Sequence, residues 1–323
     1  VLLAVGITFI TFALTDLVPA NPALSNLGQD PTASQIRTFD QHNGVNKPFP
    51  EQFGLYLEHL LRGDLGVSQQ TGDPVTHDLG SVIPATAELA LLSVVIALIF
   101  GIAFGLIGAL WRDRPIDHVL RLFSLIGVSV PTFWLALVAL YILFYQLGVV
   151  PGGTRLSPDL IPPHDVTGMY TVDALLEGNL TVFWNALQHL ILPAVILATA
   201  NLGLLTRYTR SAVLDVLDQD YIRSAHAKGL PARSIVFRHI LRAALPSIVT
   251  VIGLVFANVM TGAVLVEEIF SWPGLGQYGY LAATHLDLPA IAGVSLFIAG
   301  VYVTVNFVVD LLYGLLDPRI RVA

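Results

Sequence analysis

The stretch Leu89–Trp111, LALLSVVIALIFGIAFGLIGALW, contains no charged residue. It exceeds the about 20 apolar residues that carry a helix across a bilayer. Ala, Leu, Ile, Val, Phe and Gly dominate it, as a lipid-facing helix requires once its backbone is hydrogen-bonded internally. Working outward from it, similar runs recur. Leu122–Thr154 is also free of charge, with the span expected to end near Gly148. Asn185–Thr206, Ala243–Val266 and Leu288–Val309 follow. On the other flank, Val1–Thr15 is apolar but short. It lacks the basic flank and small-residue cleavage site of a signal peptide. It reads as the remainder of a first membrane helix whose start is missing.

Six spans in an all-α membrane protein are therefore expected. Composition agrees: hydrophobic residues make up 54%, charged residues 12%, and the mean hydropathy is +0.72. Soluble domains carry about 25% charge. By length alone, 323 residues would fit two soluble domains, but a chain this apolar needs lipid as its solvent. Without cysteine it has neither a disulfide framework nor a thiolate metal site. A net charge of −7 argues against a nucleic-acid partner, which wants an excess of clustered Lys and Arg.

Orientation follows from the basic residues. Of the 16 Lys and Arg, all but Arg37, Lys47, Arg62 and Arg155 fall between spans two and three, between spans four and five, or after span six. That side is expected to be cytoplasmic, with both termini there. The opposite side receives Asp16–Ile83, rich in Pro, Gly, Asp and Gln, and the segment Gly148–Trp184. Phe53, Leu57, Leu60 and Leu61 mark a short amphipathic helix in the first segment. The expected division is a truncated membrane helix over 1–18, an extracytoplasmic segment over 19–83, and a five-helix core over 84–323 with a cytoplasmic loop at 207–245. The two outer segments read as a small ordered cap. Pro131, Pro193 and Pro246 are expected to mark ordinary kinks or helix starts. Gly101, Gly105 and Gly108 form a small-residue face suited to close helix packing.

The chain lacks the means to power transport alone. Lys47 precedes Pro48 and Lys228 precedes Gly229, so neither lysine completes a phosphate-binding loop. The spans hold few ionisable residues, unlike those of ion-driven carriers. Glu88, His189 and Asp310 sit near span ends and read as interfacial anchors. The nine histidines are scattered without an i, i+4 pair, so no metal site is expected. Nucleophile-elbow and zinc-protease motifs are missing. Enzyme activity is not expected, and the fuel must come from another protein.

The most informative segment is RYTRSAVLDVLDQDYIRSAHAKGLPARSIVFRHILRAALP, residues 207–246. Asp218 or Asp220 can cap a helix start. Tyr221–Lys228 then makes about two turns, with Lys228 suiting the negative end of the helix dipole. Gly229 fits the left-handed position beyond the helix end, and Pro231 the first turn of the next helix. Ala225 and Gly229 are small residues that would let another surface approach, with Arg223 and Lys228 binding acidic groups at the rim. A loop made basic only to set topology is the plainer reading, and cap signals alone leave the two even.

The string DYIRSAHAKGLPARSIVFRHILRAALP, residues 220–246, decides between them. It resembles the EAA loop of ABC importer permeases, in the form carried by the dipeptide, oligopeptide and nickel subfamily. Arg223, Ser224 and Ala225 stand where the general pattern begins Glu-Ala-Ala, and His226 where a second Arg is frequent. Further matches are P-A-N-P-A at 19–23, F-G-L-Y-L-E-H-L-L-R-G-D-L-G-V-S at 53–68, V-S-V-P-T-F-W at 128–134, V-E-E-I-F-S-W-P-G-L-G-Q at 266–277 and the ending L-D-P-R-I-R. In order along the chain, they make it similar to the first, B-type membrane subunit.

This resemblance implies a type I importer permease fold with a small cap after helix 1, in a prokaryotic inner membrane. It implies a second homologous permease, two ATP-binding subunits that hold ATP and Mg, and an extracytoplasmic substrate-binding protein. No cofactor is expected in this chain. Asp220, Tyr221, Arg223, Ala225, Lys228, Gly229, Leu230 and Pro231 would couple to the ATPase. Glu267, Glu268, Phe270 and Trp272 would form an outer feature beside the pathway, contacting the binding protein. The plainer reading of that stretch is an aromatic belt and a Pro-Gly turn. Peptides are the expected substrate. A nickel or other small-solute importer, a stand-alone secondary transporter and a membrane scaffold are the alternatives.

Overall fold

The computed structural model describes residues 47–316, together with 6, 8–10, 12–13, 32–35 and 38. Most of the expected first span, most of 16–46 and the ending at 317–323 lie outside the described residues. These include P-A-N-P-A, Arg37, Arg319 and Arg321. Ten helices are labelled here: α1 Phe49–Leu61, α2 Val75–Leu110, α3 Pro115–Ser129 and α4 Thr132–Ala139, which continues as a π-helical stretch Leu140–Gln146. They go on with α5 Tyr170–Leu176, α6 Leu180–Leu217, α7 Asp220–Ala227, α8 Ala232–Ile269, α9 Leu275–His285 and α10 Leu288–Leu316. Among the described residues, β pairing is limited to one bridge, Val67 with Pro74.

By length and composition α2, α6, α8 and the part Leu288–Val309 of α10 can each cross a bilayer, and the pair Pro115–Ser129 and Thr132–Gln146 passes the same test together. That pair is not the straight third span that the unbroken apolar run suggests. It bends by 100°. Val130 is extended, at φ −83° and ψ 124°. The next residue, Pro131, has no N–H, and its ring disfavours helical backbone in the residue before it. Pro84, Pro193 and Pro246 lie inside helices that continue past them.

The chain divides into two compact units. The first takes residues 1–86 and 273–303. Its core packs Val75 and Leu79 of α2 against Leu275, Tyr278 and Ala282 of α9 and Ala290 and Val294 of α10. This packing starts α2 at Val75, within the segment expected outside as far as Ile83. Buried Asp287 accepts hydrogen bonds from Ser68 Oγ at 2.6 Å and from the N–H of Ala290 at 3.2 Å. It thereby ties the 62–74 turn to the α10 start. On α1 the expected apolar face forms from Phe53, Leu57 and Leu60 with Tyr56. Leu61 departs from it and is 87% exposed. The rings of Phe9 and Phe12 pack on Phe53.

The second unit takes residues 87–272 and 304–323. Here α6 is central and packs against α3, α4, α5 and α8. The glycine face of α2 meets α6 as expected. A Cβ at Gly105 would lie 2.7 Å from the carbonyl oxygen of Thr206 and 2.5 Å from Thr209 Cβ. At Gly101 it would meet Leu205 Cβ at 2.9 Å. Segment 148–184 packs Leu156 and Ala174 against Val182 and Ala186 of α6 in a small core. Within the segment expected as a loop over 207–245, α6 runs on to Leu217 and α8 starts at Ala232, so the corner between them is 218–231.

Candidate functional site

The corner between α6 and α8 is built by backbone chemistry at both ends of α7. Gln219 occupies the N-cap position without a side-chain hydrogen bond. Asp218 instead closes α6, and Asp220 lies within the first turn of α7. Neither aspartate is the cap that the sequence suggests. The Asp220 charge still faces free N–H groups, which favours it there, and it pairs with Arg223 at 3.3 Å. At the other end Lys228 is the C-cap residue, and Gly229 is left-handed at φ +71°. The N–H of Leu230 donates to Ala225 O at 3.3 Å and that of Gly229 to His226 O at 2.9 Å. These two bonds make a Schellman closure, which favours glycine at this position. Pro231 is the residue before the next helix, extended at ψ 140°.

The two faces of α7 differ. Ile222 and Ala225 are buried, and α7 packs on the π-helical stretch Ile235–Ile240 of α8. Ala225 is therefore engaged by its own chain and is not open to an approaching surface. Asp220, Tyr221, Arg223, Lys228, Gly229, Leu230 and Pro231 are exposed. Tyr221, Leu230 and Phe237 put apolar area on the surface beside Arg223, Lys228, Arg233 and Arg238. An apolar patch rimmed by basic groups suits a protein partner with an acidic edge.

The second predicted group lies elsewhere. Glu267, Phe270 and Trp272 are among the largest fully buried side chains, and Glu268 is half-buried. The side chains of Glu267, Phe270 and Trp272 thus face the interior of this chain, and of the four only Glu268 keeps part of its surface open. Their positions follow from the segment 153–155. A Cβ on Gly153 would lie 2.4 Å from Phe270 O, and the N–H of Thr154 donates to that same oxygen at 2.7 Å. Thr154 is itself left-handed at φ +77°, a strained state for a β-branched residue.

Two buried ion pairs were not legible in the sequence. Arg155 Nη2 donates to Glu88 Oε2 at 2.7 Å, and both residues are buried. Glu88 Oε1 accepts from the N–H and hydroxyl of Thr171 at 2.7 and 2.6 Å. The Arg155 guanidinium lies 3.7 Å from the centre of the Tyr170 ring, inside cation–π range. Glu88 thus fastens 148–184 to α2, beyond interfacial anchoring. His189 does similar work on α6: it is buried, with Nδ1 3.2 Å from Thr154 O and Nε2 3.2 Å from Ser157 Oγ. Nearby, Asp173 is buried in the first turn of α5. Its burial would raise the carboxyl pKa, but hydrogen bonds from Thr167 and Gly168 outweigh that and hold it below the ordinary value.

The other pair links α3 to α6. Fully buried Asp117 accepts from Arg210 Nε and Nη2 at 2.8 and 2.9 Å and from Arg121 Nε at 3.0 Å. A Cβ at Gly108 would sit 3.3 Å from Asp117 Oδ1. Among the described residues one group has metal-ligand spacing: Asp73, His77 and Asp78, whose ligand atoms lie within 4.8 Å of one another. Asp78 Oδ2 already accepts from Thr71 Oγ1 and Tyr278 OH, and the N-terminal end of α2 opposes a cation. We assign no metal there.

Comparison with known proteins agrees with this architecture. Residues 101–322 match the family described as "Binding-protein-dependent transport system inner membrane component". Residues 1–90 match its N-terminal companion. The chain is 44% identical over 320 residues to "Probable D,D-dipeptide transport system permease protein DdpB" of Escherichia coli (strain K12), covering 99% of this chain and 94% of that one. It is 38% identical to the dipeptide transport system permease protein DppB of Alkalihalophilus pseudofirmus, at 98% and 95% coverage. It is 41% identical to the di/tripeptide permease protein DppB of Pseudomonas aeruginosa (strain UCBPP-PA14), at 98% and 94%. A solved chain of the MetNI methionine ABC transporter in inward-facing form shares the fold, with a TM-score of 0.52 and 16% identity over 72% of this chain and 93% of that one.

Proposed function

The chain belongs to the inner membrane components of binding-protein-dependent transport systems, and from that premise we propose that it forms half of a peptide pathway driven by ATPase partners through α7. The peptide substrate rests on the relatives named for dipeptides, which favours peptides over nickel. In this reading a second homologous permease completes the pathway. An extracytoplasmic binding protein delivers the peptide, and two ATP-binding subunits hold ATP and Mg. The chain itself hydrolyses nothing. Six spans put both termini in the cytoplasm of a prokaryotic cell, with 19–83 and 148–184 on the outer side.

The observation that carries the reading is the two-faced α7. Its Ile222 and Ala225 lock it to the start of α8, while Tyr221, Arg223, Lys228 and Leu230 stay exposed. A partner that moves α7 therefore moves α8 with it. Swinging a pathway from mostly inward to mostly outward takes about 5.5 kcal/mol of differential binding, within reach of ATP-driven closure of the partners. The buried Glu267, Phe270 and Trp272 serve as inner support for the outer end of α8. The test is affinity purification of the tagged chain from its native membrane, with mass spectrometry of what accompanies it. The expected companions are a second permease and one or two proteins with phosphate-binding loops. Recovery of the chain without such ATPases sinks the proposal.

A further inference from the structure

A cavity of about 380 Å³ opens between α2, α3 and α6, within the second unit. That volume falls in the range of small-molecule sites, roughly 300–1,000 Å³. Its lining has two characters. Phe104, Leu120, Leu125, Val128 and Leu214 make it apolar, while Arg121, Arg207 and Arg210 bring three guanidinium groups against one carboxylate, Asp117. Arg121 and Arg210 are engaged by Asp117. Arg207 has no ion-pair partner among the described residues; its one interaction is with the neighbouring Tyr208 ring, 5.9 Å away. A positive charge is thus left over at one end of an apolar cavity.

A second observation points to an occupant. The apolar wall runs out onto the helix surface, where Leu125 and Val128 of α3 are exposed. An occupant that satisfies all of this has an anionic, hydrogen-bond-accepting head and a hydrocarbon tail that leaves along α3.

We propose that this cavity binds one anionic phospholipid, its phosphate held by Arg207 and one acyl chain lying along Leu125 and Val128. Basic pockets between membrane helices on the cytoplasmic side suit such head groups. The site rests on the topology proposed above only for which leaflet supplies the lipid. Its role is to fill the space at the Asp117–Arg210 junction between α3 and α6.

The test is native mass spectrometry of the intact purified transporter after exchange into phosphatidylglycerol or phosphatidylcholine, alone and with inorganic phosphate or dipeptide. One phosphatidylglycerol should be retained per copy of this chain, in preference to phosphatidylcholine. Arg207→Gln should lower that retention about fivefold, the contribution of one interfacial Arg. Arg112→Gln, exposed in the neighbouring turn and outside the lining, should leave it unchanged. Equal retention of both lipids, or an equal loss with Arg112→Gln, would mean generic surface attraction and overturn the site. Displacement by phosphate alone would make it an anion site. Displacement by dipeptide would place the cavity on the substrate path. Absence of lipid from an intact transporter whose second permease covers the cavity would also overturn it, while leaving the proposed transport function standing.

Discussion

Gly229 is the residue at which the coupling account is most exposed to failure. It is left-handed at φ +71°, and a Cβ there would meet nothing within 4 Å. Replacing it with valine therefore costs backbone strain and no collision inside this chain. An L-residue pays about 1–2 kcal/mol to enter this conformation, and a β-branched one lies at the upper end. If the backbone escapes the strain, the bonds from Leu230 to Ala225 and from Gly229 to His226 are lost, at about 0.5–1.5 kcal/mol each. A change of one or two kcal/mol shifts a population by about 5–30-fold. Gly229→Val should thus reduce uptake per ATP hydrolysed by about that factor, while the ATPases keep hydrolysing. Asparagine enters the left-handed region readily, so Gly229→Asn should stay close to wild type. The assay is dipeptide uptake and phosphate release in the same proteoliposomes. Valine without effect, or asparagine as damaging as valine, would refute the argument from backbone geometry.

Other expectations follow from the packing and the buried charges. Gly105→Leu drives a side chain into the Thr206 backbone and should cost about 1–3 kcal/mol or more. It would show as lower thermal stability in detergent, whereas Gly300→Leu, with open space around it, should be mild. Arg155→Leu strands Glu88 in a buried site and should cost about 3–5 kcal/mol. The double change with Glu88→Gln should recover part of that in the same melting assay. Asp117→Asn weakens both Arg210 bonds and should speed hydrogen exchange at the start of α3. Asp173, held below its ordinary value of 3.8, contributes stability that is present above that value and lost as pH falls through the lower folded value. Proteolytic protection of 164–177 should therefore exceed that of Asp173→Asn at neutral pH, with the difference vanishing in acid.

Much of the fold was legible because lipid imposes a one-dimensional signal. Leu89–Trp111 and Leu288–Val309 need only length and the lack of charge to declare themselves. The α7 corner was legible because Lys228-Gly229-Leu230-Pro231 carries local end-of-helix chemistry, although Gln219 takes the cap position that the nearby aspartates suggested. The bend at Pro131 was not legible as 100°, since at Pro193 the same proline signal lies inside a helix that continues past it. The burial of Glu267, Phe270 and Trp272 depends on Gly153 and Thr154 closing over them, more than a hundred residues earlier in the chain. Glu88 read as an interfacial anchor, and its partner Arg155 stands 67 residues away. Asp117 pairs locally with Arg121, but its partner Arg210 stands 93 residues away, and nothing local announces a pairing at such distances.

The central claim is that this permease moves peptides only when partner ATPases drive it. The most direct measurement is uptake of a labelled dipeptide by the purified, reconstituted transporter with its binding protein, compared with the chain reconstituted alone. The account predicts uptake that requires ATP and Mg, vanishes with a non-hydrolysable analogue, and is absent from vesicles holding the chain alone. Uptake by the chain alone on a proton gradient, without ATP, would contradict it.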